Sequence, residues 1–145
     1  MKQLPNLFGR ASAVQADHEH LRASWARLQE LAAGSVGTAS DAEAWTLVRE
    51  FADELSSHFA AEEEGYFDAL LAEQPELLTR IEQLRGEHRL IAGLLAELMA
   101  LEATPGPEGE FEPRLSFVLV RLQRHEHAER GLLQEFFARV EGGES

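Results

Sequence analysis

Four stretches of this 145-residue chain repeat apolar residues every three or four positions, and few folds accommodate that pattern four times over. Val14, Leu21, Trp25 and Leu28 share one side of a helix predicted from about Ser12 to Ala33. Ala44, Val48, Phe51 and Leu55 do the same for a second, which runs to about Leu71 behind the capping-box spacing of Ser40 and Glu43. Pro75, favoured in a helix's first turn, opens a third that carries Leu77, Ile81, Leu84, Ile91, Leu95 and Leu98. The fourth extends from about Pro113 to Val140, with Leu115, Val118, Leu122, Leu132 and Phe136 in register. Glycines in "AAGSVGTAS" and the Pro/Gly run "ATPGPEGEFEP" punctuate the pattern. The expected fold is all-α: an up-down-up-down antiparallel four-helix bundle. It forms a single domain over residues 1–145, with helices near 12–33, 41–71, 75–102 and 113–140. Usage agrees, since Ala, Leu, Glu, Gln and Arg abound while Val, Ile, Thr and Tyr are few.

The stripes are interrupted by polar residues. His18 falls between Val14 and Leu21, and His58 follows Leu55 with Glu62 one turn later. His88 falls between Leu84 and Ile91, and His125 follows Leu122 with Glu129 one turn later. Every step is three or four residues, so each side chain points into the bundle. They also share a level. Counted from turns near residues 37, 74 and 107, neighbouring histidines differ in height by one or two residues. At ~1.5 Å rise per residue that is about 1.5–3 Å, within side-chain reach.

One histidine on an apolar face is usually a core residue bonded to a carbonyl. Six polar groups at one height need another account, because an unpaired buried carboxylate costs several kcal/mol. Cations would neutralise Glu62 and Glu129 and accept the imidazole lone pairs. Four imidazoles and two carboxylates exceed one tetrahedral zinc site. They suit two first-row metals, each on two histidines, bridged by both glutamates, with His18 paired to His58 and His88 to His125. Mixed nitrogen and oxygen donors point to iron first, with manganese or zinc as substitutes. A ferritin-type site would use Glu-x-x-His, but Leu55, Arg85 and Leu122 stand three residues before His58, His88 and His125.

Other candidates point elsewhere. His20 aligns with Ser24 and Arg27, and His127 with Gln123 and Arg130, so both are expected to face water. Glu63 and Glu64 read as a solvated run, and Trp25 and Trp45 as packing residues. Tyr66, one turn beyond Glu62, reads as a core or boundary residue that could hydrogen-bond near the metals. The arm "LPNLF" is expected to cap the open end passively.

The set "DHEHL", "HFAAEE", "EHRLI" and "HEHAE", in that order, resembles the hemerythrin-like, or HHE cation-binding, family. The resemblance covers roughly residues 12–140. It implies a non-haem di-iron centre with an oxo or hydroxo bridge, binding O2, peroxide or another diatomic ligand. His18, His58, Glu62, His88, His125 and Glu129 match the family's ligands position by position. Oxygen-carrying hemerythrins place a second histidine on helix three, one turn from the first; here Leu84 and Ala92 flank His88 at that distance. The chain therefore resembles the four-histidine, two-glutamate branch, which includes iron-centre repair and iron-sensing proteins. The open coordination positions favour redox reaction with O2 or peroxide, an oxidase- or peroxidase-type activity. The alternatives are a non-catalytic oxygen, nitric oxide or iron sensor or carrier, and a purely structural metal staple.

Composition excludes several classes. A formal charge of −13 argues against a nucleic-acid partner. The absence of cysteine removes disulfides, iron–sulfur clusters and thiol chemistry. No apolar run suits a signal peptide or a membrane span, so a cytoplasmic location without membrane partners is expected.

Overall fold

The structure, a computed structural model, describes the backbone of residues 4–32, 41–103 and 110–142. Side chains are described at Val14 and from His18 onward within those spans, apart from Ala32, Asp41 and Gly142. The described residues form five α-helices: α1 (Leu4–Ala32), α2 (Asp41–Ala61), α3 (Phe67–Glu73), α4 (Leu78–Ala103) and α5 (Phe111–Gly142). A π turn, Glu62–Tyr66, joins α2 to α3, so the two make one continuous rod. A 3-10 turn, Pro75–Leu77, leads into α4. The described residues contain no strand.

The rods form a square in which α1 and α4 each touch both α2 and α5. Neighbours run antiparallel. Arg80 meets Glu135, His88 meets His125 and Arg114 meets Glu97, so α5 falls as α4 rises. The same reversal relates α1 to α2 through Ser24–Glu54 and His18–His58, and α1 to α5 through Arg22–Glu126 and His18–Glu129. No helix among the described residues is long and apolar enough to cross a membrane.

Two local features depart from the sequence expectation, and a third shows how the expected turn near residue 74 is made. The first helix begins at Leu4, not near Ser12, so the "LPNLF" arm continues the rod. Pro5 permits this, because a helix's first turn needs no proline N–H. The side chains of the arm, like the Ser40 cap, lie outside the described residues. Second, the π turn breaks the expected unbroken helix to Leu71. Its i→i+5 hydrogen bonds accommodate one extra residue. Phe51, Leu55, His58 and Glu62 face inward before it; after Tyr66 the buried stripe resumes at Phe67, Leu70 and Leu77. A regular helix counted from Glu62 would have turned Ala69 and Glu73 inward instead. Third, the chain turns at Gln74, whose backbone leaves the helical region (φ −137°, ψ 82°). It precedes Pro75, and a residue before proline is pushed away from helical torsions. The buried Gln74 Nε2 donates to the Phe136 carbonyl at 2.9 Å, tying this end of the rod to α5.

Two apolar clusters fill the interior. One contains Leu28, Val48, Phe51, Ile91, Leu98 and Leu115; Trp25 and Trp45 pack against it, as expected. The other contains Val14, Tyr66, Phe67, Leu77, Ile81 and Phe136. On every rod the inward histidines and glutamates fall between the two.

Candidate metal centre

The same three- and four-residue steps that build the apolar stripes carry six polar side chains into the gap between the clusters. His58, Glu62, His88, His125 and Glu129 are buried, and His18 is partly buried. They form two groups whose donor atoms lie within 4.8 Å of one another: His18, His58, Glu62 and Glu129, and Glu62, His88, His125 and Glu129. Both carboxylates belong to both groups.

The individual contacts explain why. Glu62 turns Oε2 toward His58 Nε2 (3.6 Å) and Oε1 toward His88 Nε2 (3.1 Å). Glu129 turns Oε2 toward His18 Nε2 and Oε1 toward His125 Nε2, both at 3.2 Å. Each carboxylate thus gives one oxygen to each histidine pair. Within the pairs, the His18 and His58 rings lie 4.6 Å apart and the His88 and His125 rings 4.7 Å.

His88 and His125 are held from behind. His88 Nδ1 lies 2.6 Å from Glu63 Oε2, and His125 Nδ1 lies 2.6 Å from Glu87 Oε1. A carboxylate accepts only, so each Nδ1 carries the donated proton. Phe59 stacks on His88 at 3.8 Å, nearly parallel, and meets His125 edge-on at 5.5 Å. The two Nε2 atoms then face each other across 3.1 Å. With both Nδ1 protons committed outward, two lone pairs point at one another unless a proton or a cation takes them up. The donor set, together with the buried Glu129 Oε1 that has no hydrogen-bond partner, fits a metal pair.

The electrostatics follow from this crowding. Burial pushes the His88 imidazole down to about 4, with the Glu63 contact opposing and His125 adding to the fall. Burial also acts against the charged form of His125, but Glu129 and Glu87 outweigh it and raise its pKa. For Glu129, burial is outweighed by contacts with Glu62, His125 and His18, which hold it well below the usual carboxylate range. Burial raises the Tyr66 phenol strongly, and the charges of Glu129 and Glu62 add to that. The Tyr66 hydroxyl is buried and without a hydrogen-bond partner.

A cavity of about 20 Å³ adjoins the cluster, walled by His18, His58, Phe59, His125 and Glu129. That is enough for one water-sized molecule. Trp25 and Glu126 border it and also border an open groove of about 580 Å³ with Arg22, Arg124, His127 and Arg130. Glu126 is held in place by Arg22 and Arg130, each at 2.9 Å.

A sequence profile described as the hemerythrin HHE cation binding domain matches residues 10–137. The chain belongs to the hemerythrin HHE cation-binding family. No curated protein and no solved structure matches it. In this HHE domain the buried His/Glu cluster supplies donors suited to the cation binding that the family description names.

All six residues singled out from the stripes are brought together, and His20 and His127 are exposed, His20 standing 3.5 Å from Glu54. Glu64 is exposed as expected, but Glu63 is not part of a merely solvated run. The π turn aims it at His88. Glu87, which the stripe pattern does not single out, reaches from α4 to His125 on α5. The available signal was adjacency: each follows or precedes an inward polar residue, Glu62 or His88, by one position, at the same level of the bundle.

Proposed function

We propose that this hemerythrin-family domain holds two iron ions and uses them to bind and reduce O2 or peroxide. His18 and His58 would ligate one ion, His88 and His125 the other, and Glu62 and Glu129 would bridge them. The division of each carboxylate's oxygens between the two histidine pairs is the observation that carries the reading. Two divalent ions bring four positive charges against two from the carboxylates, leaving an excess a bridging hydroxide would reduce. Mixed imidazole and carboxylate donors suit iron, with manganese or zinc able to substitute. Once bound, a ferrous pair supplies two electrons to an oxygen-derived ligand.

The chain's own residues supply the rest. The cavity beside His18, His58, His125 and Glu129 has room for one very small molecule, in keeping with a ligand of this size class. Trp25 and Glu126, shared with the outer groove, line the route to it. The apolar walls Leu21, Leu55 and Leu122 keep bulk water out. Tyr66, its buried hydroxyl without a partner and kept protonated by burial and by the charges of Glu129 and Glu62, offers a hydrogen bond from the opposite, aromatic side. A reducing cytoplasmic setting belongs to the same proposal, since a ferrous pair must be regenerated.

The test is anaerobic loading with ferrous iron, metal analysis, and stopped-flow optical spectroscopy on mixing with O2 and with peroxide. Two irons per chain and oxidation with peroxide turnover are expected. A stable, reversible O2 adduct without turnover would make the protein a carrier or sensor instead. A site that zinc fills equally well and that is silent to both oxidants would reduce it to a structural staple.

A further inference from the structure

Two grooves of nearly equal size run along this bundle, and they differ in the sign of their charge. The groove between α2 and α4, about 600 Å³, carries Asp53, Glu63 and Glu64 against Arg89 among the described residues. That suits a chain with 26 acidic and 13 basic residues. The groove between α1 and α5, about 580 Å³, reverses the balance, with Arg22, Arg124 and Arg130 against Glu126. Its three guanidiniums have a defined arrangement. Arg22 and Arg130 each place Nη2 at 2.9 Å from the same Glu126 oxygen, so those two nitrogens lie within about 6 Å of each other. One carboxylate thus holds two like charges side by side and neutralises only one of them. Each guanidinium has five N–H donors and commits one to Glu126. Both arginines keep about half of their side chains exposed (49% and 58%), so the other donors are accessible. Arg124 makes no hydrogen bond or ion pair with any described residue. Tying α1 to α5 explains Arg22, but it does not explain Arg124. Trp25 borders both this groove and the small cavity beside the histidines, and its buried Nε1–H has no acceptor.

We propose that the α1–α5 groove is a binding site for a small organic dianion, a dicarboxylate or a phosphate monoester, held by Arg124 and the Arg22–Arg130 pair. Two negative charges match the local excess of two positive ones. Guanidinium forks pair with carboxylate and phosphate oxygens through parallel N–H bonds, so the donor type suits either headgroup. The volume is that of a small-molecule site, and the Trp25 ring supplies an apolar surface for an organic body. The occupant lies against Trp25 and Glu126, the residues shared with the inner cavity. Binding here requires no metal, so this inference stands or falls apart from the two-ion reading.

The experiment is calorimetric titration of the full chain with succinate, glycerol phosphate and acetate at low ionic strength. It is repeated after metal is stripped with a chelator and the chelator is dialysed away. Emission from Trp25 in a Trp45→Phe background, which leaves one tryptophan, reports occupancy of the groove. Saturable one-to-one binding of a dianion is expected, at least about tenfold tighter than acetate, equal with and without metal, and accompanied by a change in Trp25 emission. The tighter of the two dianions identifies the headgroup. Arg124→Gln should weaken binding about tenfold or more, as the loss of a charge-assisted hydrogen bond does. Arg124→Lys, which keeps the charge, should lose less. Arg139→Gln, whose arginine pairs with Glu76 and Glu135 away from the groove, should change nothing. Arg124 is exposed and holds no fold contact of this kind, so its variants should melt with the wild type. No saturable dianion binding, or undiminished binding by Arg124→Gln, would overturn the inference. Binding confined to the metal-loaded protein would overturn it too, by placing the anion on the cations.

Discussion

The two ends of this bundle and the layer between them obey different rules. Above the layer, Leu28, Val48, Phe51, Leu98 and Leu115 are buried at 0–1% exposure with no polar group to satisfy. Below it, Phe67, Leu70, Leu77 and Phe136 do the same, beside Tyr66 with its buried, unpartnered hydroxyl and with irregular π and 3-10 turns. The middle holds four histidines and two glutamates whose lone pairs and charges face one another. Burial stabilises the ends in any solution condition, at roughly 25 cal/mol per Å² of apolar surface. The middle is stabilising only when something cationic occupies it, by proton or by metal. The ends hold the helices in place so that the middle can be kept in a state it would not choose alone.

The sharpest test of that division is Phe51→Ala. It should cost about 3–5 kcal/mol in denaturant unfolding, equally with and without metal, while leaving metal stoichiometry unchanged. A loss of bound metal in that variant would mean the ends and the middle are not separable. Next in size is metal itself. At free metal a thousandfold above the dissociation constant, binding to the folded chain alone adds about 4 kcal/mol. Melting curves of loaded and chelator-stripped protein should separate accordingly, and coincident curves would remove the middle layer's dependence on a cation.

A smaller effect is the pH response of the metal-free protein. Burial lowers His88 to about 4, from an ordinary 6.5. Between those limits the unfolded chain binds a proton that the folded chain refuses, so stability falls as pH drops from 6.5 toward 4. The slope contributed is up to about 1.4 kcal/mol per pH unit. His125, raised, acts in the other window: its contribution is complete below 6.5 and fades as pH climbs past its folded value. His88→Ala should flatten the acid limb of the stability profile, and an unchanged limb would assign it elsewhere. Smallest of all, His20→Ala and His127→Ala should change stability by less than about 0.5 kcal/mol and leave metal content alone.

The division between ends and middle was legible in the sequence because helical periodicity reports direction. A histidine three residues after Leu55 or Leu122 must share that leucine's face, and antiparallel counting from the turns set the heights. What the periodicity could not report was anything one residue off the stripe. Glu63 and Glu87 point about 100° away from their inward neighbours, and their targets lie on another helix. Whether such a residue meets water or a ring nitrogen depends on how closely two rods approach, which no single helix encodes. The π turn was hidden for a related reason. "EEEGY" has good helix formers around one glycine, and only the buried phase on either side shows that an extra residue has been absorbed. The start of α1 at Leu4 is a third case, since a proline in the opening turn ends one reading and begins another with equal ease.

The surplus residue in that π turn lengthens the second rod without re-aiming its buried face. Shortening the chain by one position there would let ordinary hydrogen bonding run straight through from α2 to α3. Phe67 and Leu70 would then stand four and seven helical positions after Glu62 and keep the inward face they hold now. The bulge splices two modules, the donor array and the aromatic floor, by adding one residue to the chain while the facing of both is kept.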